Sequence, residues 1–102
     1  MKTEIEYKRY RRFLVLEALY KKANGSISIA EPLQEIAAAI GIKNSNYDDA
    51  YQTLLDDKLI ERPGIGGLYN LTHKGKKEVE RSYLNPEEQS EFFGSLKSMG
   101  IN

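Results

Sequence analysis

Apolar positions along the chain fall into helical stripes separated by short extended stretches. Residues 3–23 are rich in helix formers, and Phe13, Leu14, Val15, Leu16, Ala18, Leu19 and Tyr20 are apolar almost all round, which predicts a helix whose second half is buried on several sides. Asn24-Gly25 supplies its stop. The first half, Tyr7-Lys8-Arg9-Tyr10-Arg11-Arg12, spreads its bases over an arc away from Tyr10 and is expected to project beyond the core. Ile27-Ser28-Ile29 alternates as a short strand does. Leu33, Ile36, Ala37 and Ile40, at i, i+3, i+4 and i+7, form one apolar stripe, opened by Pro32 and ended by Gly41.

The same spacing returns in Tyr47, Ala50, Tyr51 and Leu54, with Asn44-Ser45-Asn46 as its N-cap. Three residues, Ile42 to Asn44, separate the two expected helices, the length of a helix-turn-helix connection. Leu59-Ile60-Glu61-Arg62 and Leu68-Tyr69-Asn70-Leu71 then read as the strands of a hairpin about the turn Pro63-Gly64-Ile65-Gly66-Gly67. Thr72 caps a helix running from His73 to about Leu84, with Val79 and Tyr83 inward. Asn85-Pro86-Glu87-Glu88 predicts one more helix, 86–99, with Phe92, Phe93, Leu96 and Met99 on one side.

At 102 residues these elements amount to one domain, residues 1–102 with a core over about 13–84, large enough to fold without disulfide or metal. The chain has no Cys, and its charged start, Met1-Lys2-Thr3-Glu4-Ile5-Glu6, lacks the apolar run of a signal peptide. No stretch approaches the roughly 18 apolar residues of a membrane span, so the expectation is a soluble cytoplasmic protein without membrane contact. Basic and acidic residues balance at 15 each, but unevenly. Seven bases stand against three acids over residues 1–24, two against seven over 25–61, five against two over 62–81, and one against three over 82–102. The acidic segment holds the second helix of the turn motif.

The order helix, strand, helix, turn, helix, strand, glycine-rich turn, strand, helix resembles the winged helix-turn-helix domains of MarR-like and PadR-like regulators. The resemblance covers roughly Phe13 to Val79 and rests on Ile36-Ala37 with Ile40-Gly41-Ile42, on Leu59-Ile60-Glu61-Arg62, and on Tyr69-Asn70-Leu71-Thr72-His73-Lys74-Gly75. It implies an α+β, mainly α fold: a three-stranded small sheet whose hairpin is the wing, and an additional C-terminal helix. It also implies a transcriptional regulator that binds double-stranded DNA as a dimer, its second motif helix in the major groove. By position, Ser45, Asn46, Asp48, Asp49 and Gln52 would face base edges, and Asn46 and Gln52 can pair bidentately with adenine. Lys43 and Asn44 at the turn, Arg62 at the wing base, and Lys74, Lys76 and Lys77 in the following helix are the expected phosphate contacts. Phe92, Phe93, Leu96 and Met99 either pack on the chain's own first helix or form an isologous homodimer contact, as terminal helices do in those families.

One departure stands out. Taking Tyr47 as inward, Ser45, Asp49, Gln52 and Asp56 lie near the centre of the outward face, so two of four are acids, and the positions of Asp48 and Asp49 are ones where the family often has a small hydroxyl and a base. An aspartate can accept from a cytosine amino group, and in a first helical turn it stabilises the dipole by roughly 0.3–1 kcal/mol. Beside phosphates, each acid costs about 1 kcal/mol at contact even in water. A second reading therefore keeps the scaffold as a protein-interaction module whose Asp48, Asp49, Asp56 and Asp57 meet a basic partner. The run from Lys8 to Arg12 is a solvated face, an auxiliary phosphate clamp or a site for an acidic partner. An enzyme is not expected: His73 is the only histidine, and Gly64, Gly66 and Gly67 join two strands with no Lys-Ser/Thr after them. No cofactor or metal is implied.

Overall fold

The computed structural model describes residues 4–41, 48–64 and 67–98, and of Asp48 the backbone alone. In these residues the chain is α+β and mainly helical, with four helices and a three-stranded antiparallel sheet. None of the described helices is long and apolar enough to cross a membrane. Helix α1, Glu4–Lys22, is the central element: α2, α3, α4 and the middle strand of the sheet all pack on it. Phe13, Val15, Leu16, Ala18 and Leu19 are buried there, so the all-round apolar stretch has partners on every side.

α1 ends in a left-handed turn at Asn24 (φ 52°), with Gly25 donating back to the Tyr20 carbonyl at 2.8 Å and Asn24 to that of Lys21 at 3.2 Å. This double closure satisfies carbonyls that a bare helix end would leave open. The strand expected at Ile27-Ser28-Ile29 does not form. The Ser26 hydroxyl accepts from the Ser28 backbone N–H at 3.1 Å, a local turn bond that competes with strand pairing. The strand β1 is instead Glu31–Pro32, opposite Tyr69 and Leu68. Proline, lacking an N–H, suits this edge.

α2, Leu33–Ile40, lies between Pro32 and Gly41 as its signals predict, and Gly41 takes the left-handed conformation (φ 82°). The connection at residues 42–47 lies outside the described residues. α3, Asp48–Asp56, buries Ala50, Tyr51 and Leu54, as its stripe requires. β2, Ile60–Glu61, and β3, Leu68–Leu71, form the expected hairpin, with Ile60 opposite Leu71 and Glu61 opposite Asn70; the sheet order is β1-β3-β2. Its tip, Ile65 and Gly66, lies outside the described residues.

α4, His73–Leu84, begins at Thr72, whose hydroxyl accepts from the Gly75 N–H at 3.0 Å. It runs antiparallel to α1 through two crossed pairs. Tyr20 donates to Glu80 at 2.9 Å and Tyr83 donates to Glu17 at 2.6 Å, while the two rings meet edge to face 6.1 Å apart. Sequence reading placed Tyr83 inward; it is 42 % exposed, its ring on Tyr20 rather than in the core.

The terminal helix expected over 86–99 is absent from the described residues, where 85–98 is turns and bends. Ser90 and Ser95 hydroxyls accept from the backbone N–H groups of Phe92 and Ser98 at 3.0 Å each, and Lys97 N–H closes on the Pro86 carbonyl at 3.0 Å. Gly94 adds flexibility where a helix would need rigidity. Phe93 meets Phe13 edge to face at 5.6 Å, and Phe93 and Leu96 join the core cluster, with Phe92 packed against it. Of the two packings open for this face, Phe93 and Leu96 take the intramolecular one, and these two are not available as a dimer surface. Met99 lies outside the described residues.

Candidate nucleic-acid interface

The outward side of α3 carries Asp49, Gln52 and Asp56, all exposed. The Gln52 carboxamide donates to the Asp56 carboxylate at 2.9 Å, one helical turn on. Lys43, Asn44, Ser45 and Asn46, expected at the start of this surface, lie outside the described residues.

At the other end, α3 is closed by a non-glycine residue in the left-handed region. Lys58 has φ 62° and donates to Leu55 at 3.0 Å, while Leu59 donates to Leu54 at 3.0 Å, both leucine side chains of that second pair being buried. The arrangement is a Schellman closure with lysine where glycine is usual. Thr72 ties this corner to α4: its hydroxyl donates to the Lys58 carbonyl at 2.6 Å, and its backbone N–H donates to the Leu59 carbonyl at 3.2 Å. Lys74 reaches back from the first turn of α4, donates to the Asp57 carbonyl at 3.0 Å, and lies over the Phe92 ring at 4.7 Å. An ammonium on the last carbonyls of α3 is favoured by the helix dipole.

These closures bring cations together. Lys58, Arg62 and Lys74, together with His73 and the single acid Glu61, surround a hollow of about 530 Å³ based on Leu55 and Ile60. Arg62 stacks over Tyr69 at 5.6 Å, which itself leans on Tyr51 at 5.3 Å, so the guanidinium is steered by the hairpin and α3 jointly. Lys77 lies one turn beyond Lys74 on the same side of α4; Lys76, about 200° round the helix from Lys74, faces elsewhere and is partly buried. Of the expected phosphate contacts, Arg62 and Lys74 converge, Lys77 is adjacent, and Lys76 is not.

A comparison of the chain with family models, curated proteins and solved structures found no match. Geometry alone carries the site.

The reading from sequence missed Lys58 and His73 as members of this hollow. His73 was visible as the residue after a cap, but Lys58 enters through a backbone twist that no spacing announces. It also treated the basic run of α1 as a separate place. Lys8 and Arg11 instead stand beside Asp49 and Ala50, around a niche of about 10 Å³ at the first turns of α3. Both ends of α3 are therefore flanked by bases from other elements.

Proposed function

We propose that this chain is a winged-helix protein that binds duplex DNA, with α3 in the major groove and the β2–β3 hairpin as the wing, and that it acts as a transcriptional regulator. Support for the fold reading comes from the hairpin that follows α3 and from the sheet order β1-β3-β2. The observation that carries the function is the bracketing of α3: Lys8 and Arg11 at its start, Lys58, Arg62 and Lys74 at its end. Nine residues of helix span about 13 Å, so the two basic groups lie at separate places along the helix and can meet phosphates at separate positions. Bases on other elements offset the acids that α3 itself carries. A dimer would use a surface other than Phe93 and Leu96.

The test is a binding titration on mixed-sequence duplex between about 50 and 200 mM salt. Affinity should fall steeply with salt, and Arg11→Ala and Arg62→Ala, at opposite ends of α3, should each flatten the log–log slope by about 0.9. No retardation at micromolar protein in the low-salt buffer would defeat the reading.

The alternative, a module for a basic protein partner, is favoured by one observation: α3 contributes Asp49 and Asp56 to its outward face and holds no Lys or Arg. Replacing both by Lys separates the two. Duplex affinity rises under the first reading, and the partner is lost under the second.

A further inference from the structure

Resting on the DNA-binding reading, we infer that Asp56 is a positioning residue for base recognition: its carboxylate turns the Gln52 carboxamide so that its outward edge matches adenine. The two side chains are one helical turn apart on the exposed side of α3, and Gln52 Nε2 donates to Asp56 Oδ1 at 2.9 Å.

An ionised carboxylate only accepts, so it fixes which end of the amide turns toward it. With one N–H spent on Asp56, the amide keeps its second N–H and its carbonyl oxygen. That donor and acceptor pair complements the N7 acceptor and N6 amino donor of adenine in the major groove. A free glutamine on a helix surface samples many rotamers and loses that freedom on binding; the bond to Asp56 removes part of it beforehand. The carboxylate's charge is a liability beside phosphates, and its bond to Gln52 gives it a use there. An acid that costs non-specific attraction then contributes discrimination.

The test uses the full chain and a pool of duplexes with a randomised central segment, the bound fraction being sequenced. Beside the parent stand Gln52→Ala, Asp56→Ala and Asp56→Asn. The parent should enrich adenine at one position, and Gln52→Ala should lose that enrichment. Asp56→Ala should lower it several-fold while mixed-duplex affinity holds or rises, and Asp56→Asn, whose amide can accept from Gln52 but can also donate to it, should restore it in part. Thermal unfolding of each variant is followed in parallel. If Asp56→Ala lowers the melting temperature but keeps the adenine preference, the pair is a helix-stabilising contact and the inference is overturned. It is overturned likewise if the parent retains duplex without a position that Gln52 controls. Retention of no duplex by the parent overturns both this inference and the reading beneath it.

Discussion

Gly75, in the first turn of α4, rests against the backbone carbonyl of Leu59, so closely that a Cβ at Gly75 would overlap the Leu59 oxygen. That carbonyl also accepts from Thr72 N–H, which fixes it in place between the entry to β2 and the cap of α4. The glycine is there for space, and the corner that assembles the cationic hollow depends on it.

Gly75→Ala should therefore destabilise the chain by about 1–3 kcal/mol, since the obstruction is backbone and cannot rotate away. Gly64→Ala, where a Cβ meets open space, should lie within about 0.5 kcal/mol of the parent. Urea unfolding midpoints decide the matter; equal midpoints for the two variants would contradict the packing described.

Lys58 offers a prediction of opposite sign. A non-glycine residue at φ 62° carries a left-handed strain of about 1–2 kcal/mol, part of which glycine gives back through its freer unfolded chain. Lys58→Gly should stabilise by roughly 0.5–1 kcal/mol, and under the DNA-binding reading it should also weaken duplex affinity by removing a cation from the hollow. A gain in stability together with a loss in retardation is the expected pair of results. A variant less stable than the parent would refute the strain.

The C-terminal segment should prove part of the core. Phe93→Ala should cost about 3–5 kcal/mol through lost burial and the cavity beside Phe13. Leu84→Ala, at a side chain 80 % exposed, should be within about 0.5 kcal/mol of neutral. Chemical denaturation of both variants checks this; near-parent stability for Phe93→Ala would mean that the segment does not hold the core.

The crossed tyrosines make stability fall at high pH. Partial burial, and then the bond to the Glu17 carboxylate, push the Tyr83 hydroxyl up from its ordinary value near 10, and the bond to Glu80, followed by burial, raises Tyr20. Both favour the neutral phenol in the folded chain. Their contribution is complete below pH 10, where phenols are protonated in both states, and declines above it as the unfolded chain ionises first. Unfolding midpoints measured from pH 8 to 11 should drop more for the parent than for the Tyr20→Phe, Tyr83→Phe double variant. Parallel declines would remove the tyrosines as the cause.

What was legible in the sequence was whatever a short stretch decides for itself. The stripe of Ala50, Tyr51 and Leu54 needs only helical periodicity; Pro32 and Gly41 bound α2 through their own φ preferences; and Thr72 caps α4 with a bond three residues long. Hairpin strands flanking a glycine-rich turn were equally local.

Tertiary structure decided the rest, because the deciding partners are distant in the chain. The edge strand fell at Glu31–Pro32 rather than Ile27–Ile29 because Leu68 and Tyr69 supply its pairing. The terminal segment had a helix's start signal and a helix's apolar spacing, yet the pull of the core on Phe93 and serine bonds to its own backbone outweighed them. At the candidate site, sequence supplied the acids of α3, and Lys58 just past its end, but only packing set Lys8 and Arg11 at one end of that helix and gathered Arg62 and Lys74 beside Lys58 at the other. Charge along a chain is one-dimensional, whereas the field a ligand meets is summed over a surface that only the fold creates.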